Sequence, residues 1–96
     1  MLGSSDILRI LKSCKDELAA RYTVQSIGLF GSYLHGNPSE ASDIDLLVTM
    51  KQPTFDHYMD LKFYLEQRMQ KTVDLVLAEA LKARLKPTIT RDVVYA

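Results

Sequence analysis

The sequence predicts an α/β protein of the α+β kind: a single small mixed β-sheet with helices packed on it. Three observations carry that reading. Stretches with apolar residues at helical spacing alternate with short runs rich in Val, Ile and Leu. Their order is helix, strand, strand, helix, strand, helix, strand, which calls for helices laid against one sheet. The length, 96 residues with no repeat, linker or low-complexity tract, is that of one domain at the small end of the usual range, covering residues 1–96.

The first element is a helix. Ser4 or Ser5 can cap it, and Ile7, Leu8, Leu11, Cys14 and Leu18 recur every three or four residues, so it is expected to run to about Tyr22. Residues 24–30, VQSIGLF, read as a largely buried strand. GSYLHGNPSEAS follows, and its Gly31, Gly36, Asn37 and Pro38 make it a loop with room for one helical turn. Residues 43–50, DIDLLVTM, are the second strand. Gln52-Pro53 ends it, and Thr54 can cap a helix over about Phe55 to Gln70. Within that helix Tyr58, Leu61, Leu65 and Met69 form a core-facing stripe. Phe55, Met59 and Phe63 form a second stripe, separated from the first by Lys62 and Glu66, which reads as a helix buried on two sides or, alternatively, as a surface for a partner. TVDLVLA, residues 72–78, is a third strand by its brevity and β-branching. A short helix is expected around Glu79 to Leu85, before Pro87, and RDVVYA can supply a last edge strand.

Charge is balanced, twelve basic residues against twelve acidic, with no basic stripe along any element. Direct nucleic-acid binding is therefore not expected, nor attraction to an acidic membrane surface. No segment has the length or apolarity of a membrane span or signal core. The single cysteine, Cys14, excludes an internal disulfide and suits a reducing compartment, so the cytoplasm is the expected setting. The oligomeric state is left open, a homo-oligomer included.

The chemistry is concentrated in acids where acids are costly. Side chains alternate along a strand, so Asp43 and Asp45 project from one face while Ile44 points to the other. Buried carboxylates need a cation, and without one at least one of the two should have a raised pKa. A hard divalent ion answers this, because Mg²⁺ takes oxygen ligands and is often held by a carboxylate or two together with substrate phosphates. Asp74 is a third acid, embedded in the apolar run TVDLVL. If its strand lies beside DIDLLV, the three carboxylates converge as metal ligands. Gly31 and Ser32 fit the other half of such a site. A glycine lets backbone approach a phosphate, a following helical turn aims N–H groups at it, and Ser32 adds a hydroxyl. Each feature alone has an ordinary reading, a turn or a solvated strand end; together they are harder to dismiss. His35, His57 and Cys14 are too few for a zinc site, and no serine–histidine–acid triad is in view.

Gly31-Ser32, ten residues, then Asp43-x-Asp45, with Asp74 in a later strand, resembles the signature of the DNA polymerase beta-like nucleotidyltransferase superfamily. The short chain and the phrases LFGS, SDIDLLV and VDLVL look most like its minimal nucleotidyltransferases, the MNT group. The resemblance implies the polymerase beta-like nucleotidyltransferase fold. It implies that Asp43 and Asp45 bind Mg²⁺ and that Asp74 helps hold the ion activating the attacking hydroxyl. It also implies that Gly31 and Ser32, with His35, contact the nucleotide. Two Mg²⁺ ions, with ATP as substrate, are the implied cofactor set. The chain departs from the usual Gly-Ser-x-Ala-Arg-Gly in reading Gly31-Ser32-Tyr33-Leu34-His35-Gly36, with a histidine in place of the arginine. An arginine would offset charge on the departing phosphates at any pH, and a histidine only when protonated. Ninety-six residues leave no room for a substrate-gripping domain, so the acceptor is expected on a partner. For this group that partner is a HEPN-type toxin, AMP goes to a hydroxyl of it, a tyrosine by family analogy, and the small protein acts as antitoxin. The alternative is a non-catalytic module that binds nucleotide or partner and neutralises by contact. A small-molecule nucleotidyltransferase of the antibiotic-modifying kind is disfavoured, since those carry a second domain.

Overall fold

The computed structural model describes residues 2–36, 42–81 and 92–96. Its elements are α1 (Ser4–Ser13), α2 (Lys15–Tyr22), β1 (Val24–Phe30), α3 (Ser32–His35), β2 (Ile44–Met50), α4 (Phe55–Met69), β3 (Val73–Leu77), a 3₁₀ turn (Ala78–Leu81) and β4 (Val94–Tyr95). The four strands form one sheet in the order β3-β2-β1-β4. β1 pairs antiparallel with β2 and with β4, whereas β2 pairs parallel with β3. The sheet is therefore mixed, as the element order predicts. Parallel pairing follows from α4, which carries the chain back so that β3 can start beside the start of β2.

One face of the sheet is apolar. Ile27, Leu29, Ile44, Leu46, Val48, Val73 and Leu75 are buried there with Ile7, Leu11 and Leu18 of α1 and α2 and Leu61, Leu65 and Met69 of α4. Each fully buried leucine or isoleucine contributes about 1.5–3 kcal/mol through removal from water. Together they fix which side of β2 faces in, and so send its odd-numbered residues, Asp45 among them, to the other side.

The expected first helix is two helices. Its apolar stripe continues unbroken through Ile7, Leu11, Cys14 and Leu18, but the backbone turns aside at Cys14 (φ −109°, ψ 11°). Cys14 N–H still donates to Ile10 and Leu18 N–H to Cys14, so the stripe keeps its phase across the break. The cap is also displaced. Gly3, not Ser4 or Ser5, is the N-cap, and its N–H donates to Asp6 Oδ2 at 2.9 Å. Thr54 caps α4 as expected, its hydroxyl accepting from His57 N–H at 3.1 Å, and the helix ends at Gln70 in the left-handed region (φ 57°).

The second stripe of α4 does not join the core. Phe55 is 77% and Phe63 53% exposed, while Met59 is half-buried, so the helix buries one side and not two. On α4 it is Tyr64 that packs on α2, its ring 5.5 Å from that of Tyr22, while Phe55 and Phe63 stay uncovered among the described residues. Of the helix expected around Glu79 to Leu85, the structure gives a 3₁₀ turn at Ala78–Leu81; the remainder lies outside the described residues. The edge strand from RDVVYA is present as β4. Gly28 makes it possible, because a Cβ there would lie 2.5 Å from Val93 Cγ1 and 3.0 Å from the Val94 carbonyl.

Candidate active site

Three chain segments meet at one end of the sheet: the end of β1, the start of β2 and the start of β3. The register aligns them. Phe30 lies opposite Asp45 across the antiparallel pair, and Asp45 lies opposite Asp74 across the parallel pair. Residues directly opposite share a face, so Phe30, Asp45 and Asp74 form a row on the side away from the core. Asp43 lies just before the first residue of β2 rather than within it, and is exposed. Asp74 is exposed as well, while Asp45, in the central strand, is half-buried.

This placement sets the charge state. Burial, first, and then the neighbouring charge of Asp74, a hydrogen bond shared with it, and the charge of Asp43 push the Asp45 carboxyl up from 3.8 to about 6. Burial is the larger cause, and of the two neighbouring acids Asp74, across the strands, contributes more than Asp43, along the chain. Asp45 and Asp74 form the close pair, and Asp43 acts on Asp45 through its charge. Among the described residues, no three acidic, histidine or cysteine side chains are drawn into one compact ligand set. Full convergence of the three carboxylates, as the sequence predicts, is therefore realised for two. The third, Asp43, precedes the strand and is exposed.

Gly31 closes the site from above. Its φ of 79° is one that side-chain-bearing residues rarely adopt, and a Cβ there would overlap the Asp45 carboxylate. Both demands, conformation and space, point to glycine alone. Gly31 then serves as N-cap of α3, whose first residue is the half-buried Ser32. The glycine–serine turn and the acids, twelve residues apart at Gly31 and Asp43, are thus brought into contact by the pairing of β1 with β2. His35, the last residue of α3, is exposed, with Nε2 3.9 Å from Asp92 Oδ2 on the segment leading into β4.

A hard, oxygen-seeking divalent cation fits this donor set. The donors brought together are carboxylate oxygens, and the central one is held in its protonated form to higher pH by burial and by neighbouring charges that a cation would offset.

The nucleotidyltransferase domain model matches residues 10–96, which spans the sheet, the Gly31-Ser32 turn and all three aspartates. The chain belongs to the nucleotidyltransferase domain family. It is 41% identical over 96 residues to the protein adenylyltransferase MntA of Thermococcus cleftensis, covering 99% of this chain and 97% of that protein. A solved structure of a candidate minimal nucleotidyltransferase superposes with a TM-score of 0.73 at 30% identity, covering 91% of this chain and 93% of the other. The MNT antitoxin fold is shared too. A structure of tri-AMPylated Shewanella oneidensis HEPN toxin in complex with MNT antitoxin gives a TM-score of 0.63 at 21% identity, covering 92% of this chain and 70% of that one. The chain is thus a nucleotidyltransferase with the minimal nucleotidyltransferase fold, similar to MntA-type proteins.

Sequence reasoning missed three residues around the site. Tyr33 is buried beneath α3, and Lys71, in the corner between α4 and β3, carries its ammonium 5.9 Å from the Tyr33 ring centroid. Tyr33 follows Ser32 directly and Lys71 stands three before Asp74, but neither belongs to a spacing that chemistry alone would single out. Asp92 as the neighbour of His35 was equally invisible, since it lies 57 positions along the chain.

Proposed function

We propose that this chain, acting as a single catalytic domain in the cytoplasm, transfers AMP from Mg²⁺-bound ATP to a tyrosine hydroxyl of a HEPN-type toxin partner, and so acts as its antitoxin. The observation that carries the reading is the row of Asp45 and Asp74 across adjacent strands with Gly31 packed on Asp45. The 41% identity to a protein named adenylyltransferase MntA supports the choice of a protein acceptor and of AMP. Membership of the family supports the reaction class.

In this reading Asp43, Asp45 and Asp74 hold two Mg²⁺ ions. When bound, such ions lower the pKa of the acceptor hydroxyl and balance charge on the departing pyrophosphate. The chain's own groups do the rest. Above about pH 6 Asp45 is ionised and ready to accept a cation. Ser32 donates its hydroxyl to the phosphates, and the bare Gly31 lets them approach the backbone. The acceptor hydroxyl gives up its proton to solvent, and its oxygen attacks the α-phosphorus in line. The new P–O bond forms, and the bond from the α-phosphorus to the bridging oxygen breaks as pyrophosphate leaves with that oxygen. His35 stands at the end of the same turn, where a protonated imidazole would add positive charge beside the leaving phosphates. Most of the rate then comes from positioning and fixed charge.

The test is mass spectrometry of a HEPN-type protein encoded beside this chain's gene, after incubation with the chain, ATP and Mg²⁺. An adenylyl group on a tyrosine is the expected product. Neutralisation of the toxin without any covalent change would instead support contact alone, and would refute transfer as the biological function.

A further inference from the structure

The phosphate-side turn has little of its own to hold it in place. α3 is four residues long, both flanking glycines have positive φ (79° and 78°), and no side chain caps its start. Leu34 and His35 N–H groups both donate to the Gly31 carbonyl, at 3.1 and 3.2 Å, so these bonds close the turn on itself. Its main tie to the body of the protein is Tyr33, whose side chain is part of the main core, with the partly buried Leu34 packed against that core, Ser32 half-buried and His35 exposed.

Lys71 faces that anchor. Its Nζ lies 5.9 Å from the Tyr33 ring centroid, within reach of a cation–π contact. It projects from a corner pinned on three sides. Gln70 N–H donates to the Glu66 carbonyl at 2.8 Å, Val73 N–H to Glu66 Oε2 at 2.9 Å, and Ile44 N–H to the Thr72 carbonyl at 3.0 Å. The same corner leads directly into β3 and Asp74. One rigid element therefore carries both Asp74 and the cation that rests on the anchor of α3.

We propose that Lys71 is a positioning residue: through Tyr33 it sets the Gly31-Ser32 turn against the strand bearing Asp74, and so sets how a nucleoside triphosphate sits between them. Its functional half rests on the nucleotidyl-transfer reading; its structural half does not. A short helix between two conformationally free glycines needs such an external brace, because its own hydrogen bonds do not fix its position relative to the sheet.

The experiment compares wild type with Lys71→Met, Lys71→Arg, Tyr33→Leu and the Lys71→Met/Tyr33→Leu double variant, by native-state amide hydrogen exchange without ligand and by steady-state transfer kinetics. Lys71→Met is expected to speed exchange at Leu34 and His35 by about three- to tenfold, leaving α1, α2 and α4 unchanged. It should raise KM for ATP by a similar factor while kcat stays within about twofold. Lys71→Arg should restore both, and Lys71→Met should add little in the Tyr33→Leu background. Unchanged exchange in α3, or a uniform rise in every helix, would overturn the proposal. So would additive effects of the two substitutions, which would make Lys71 a direct phosphate ligand. If wild type itself transfers nothing, the transfer reading fails, and the exchange data alone decide whether Lys71 braces α3.

Discussion

Asp45→Asn removes one negative charge from the row while keeping the shape of the side chain, and its effect on stability should depend on pH in a defined direction. In the unfolded chain an aspartate titrates near 3.9, whereas the folded Asp45 is pushed up to about 6 by burial and by Asp74 and Asp43. A folded pKa above the unfolded one means that the native state holds the proton more tightly. That contribution to stability is complete below about pH 4, declines through the window between about 4 and 6, and is gone above it. A displacement of this size sets a ceiling of about 3 kcal/mol. Because the carboxylate is only half-buried, solvent screening reduces this to roughly 1–1.5 kcal/mol. Asparagine has no charge to penalise. At pH 7.5, without divalent ions, Asp45→Asn should therefore melt about 4–12 °C above wild type, given about 4–8 °C per kcal/mol in a domain of this size. By pH 4 the difference should shrink toward zero. Far-UV circular dichroism melts in EDTA between pH 4 and 8 would follow both proteins. A difference that stays flat across that range, or a variant less stable than wild type at pH 7.5, would refute the claim that these carboxylates repel.

If Asp45 is a ligand as proposed, saturating Mg²⁺ should raise the melting temperature of wild type by clearly more than that of Asp45→Asn; equal shifts would remove Asp45 from the ion's ligands. Gly31→Ala should cost more than about 2 kcal/mol in urea unfolding, since it meets both a positive φ and the Asp45 carboxylate; a change below about 0.5 kcal/mol would show that neither constrains the turn. Thr54→Ala removes the hydroxyl that accepts from His57 N–H and should cost about 1 kcal/mol, by the same measurement, without altering transfer.

The strands and the acids were legible in the sequence because their signals are local. β1 matches its expected bounds, Val24–Phe30, and Thr54 caps α4 as its position predicts. The buried Ile44, Leu46 and Val48 fix one face of β2, and alternation along the strand suffices to put Asp45 on the other, while Asp43 falls just outside the strand. What was not legible is set by tertiary packing. The break at Cys14 leaves no trace in the apolar period, because hydrogen bonds on both sides hold the stripe in phase. Gly3 outcompetes Ser4 and Ser5 as a cap because Asp6 reaches back to its N–H. Phe55 and Phe63 read as core by hydrophobicity, yet no other described element lies against them closely enough to cover them. Pairing of Asp45 with Asp74 required a parallel register between strands almost thirty residues apart, which the sequence allowed but did not specify. The contact of Lys71 with Tyr33 joins a turn and a helix through a cation and a ring, and neither residue stands in a motif.

The central claim is that the row formed with Asp45 and Asp74 beside Gly31 carries out transfer of a nucleotidyl group to a protein. Parallel reactions with ATP labelled at the α-phosphate and at the γ-phosphate, each with Mg²⁺ and the HEPN-type partner, test it most directly. The α-label should appear on the partner and the γ-label should leave with pyrophosphate. The Asp43→Ala/Asp45→Ala protein, still folded and still binding the partner, should transfer neither. Label arriving from the γ-phosphate, or α-label persisting with both aspartates removed, would contradict the account.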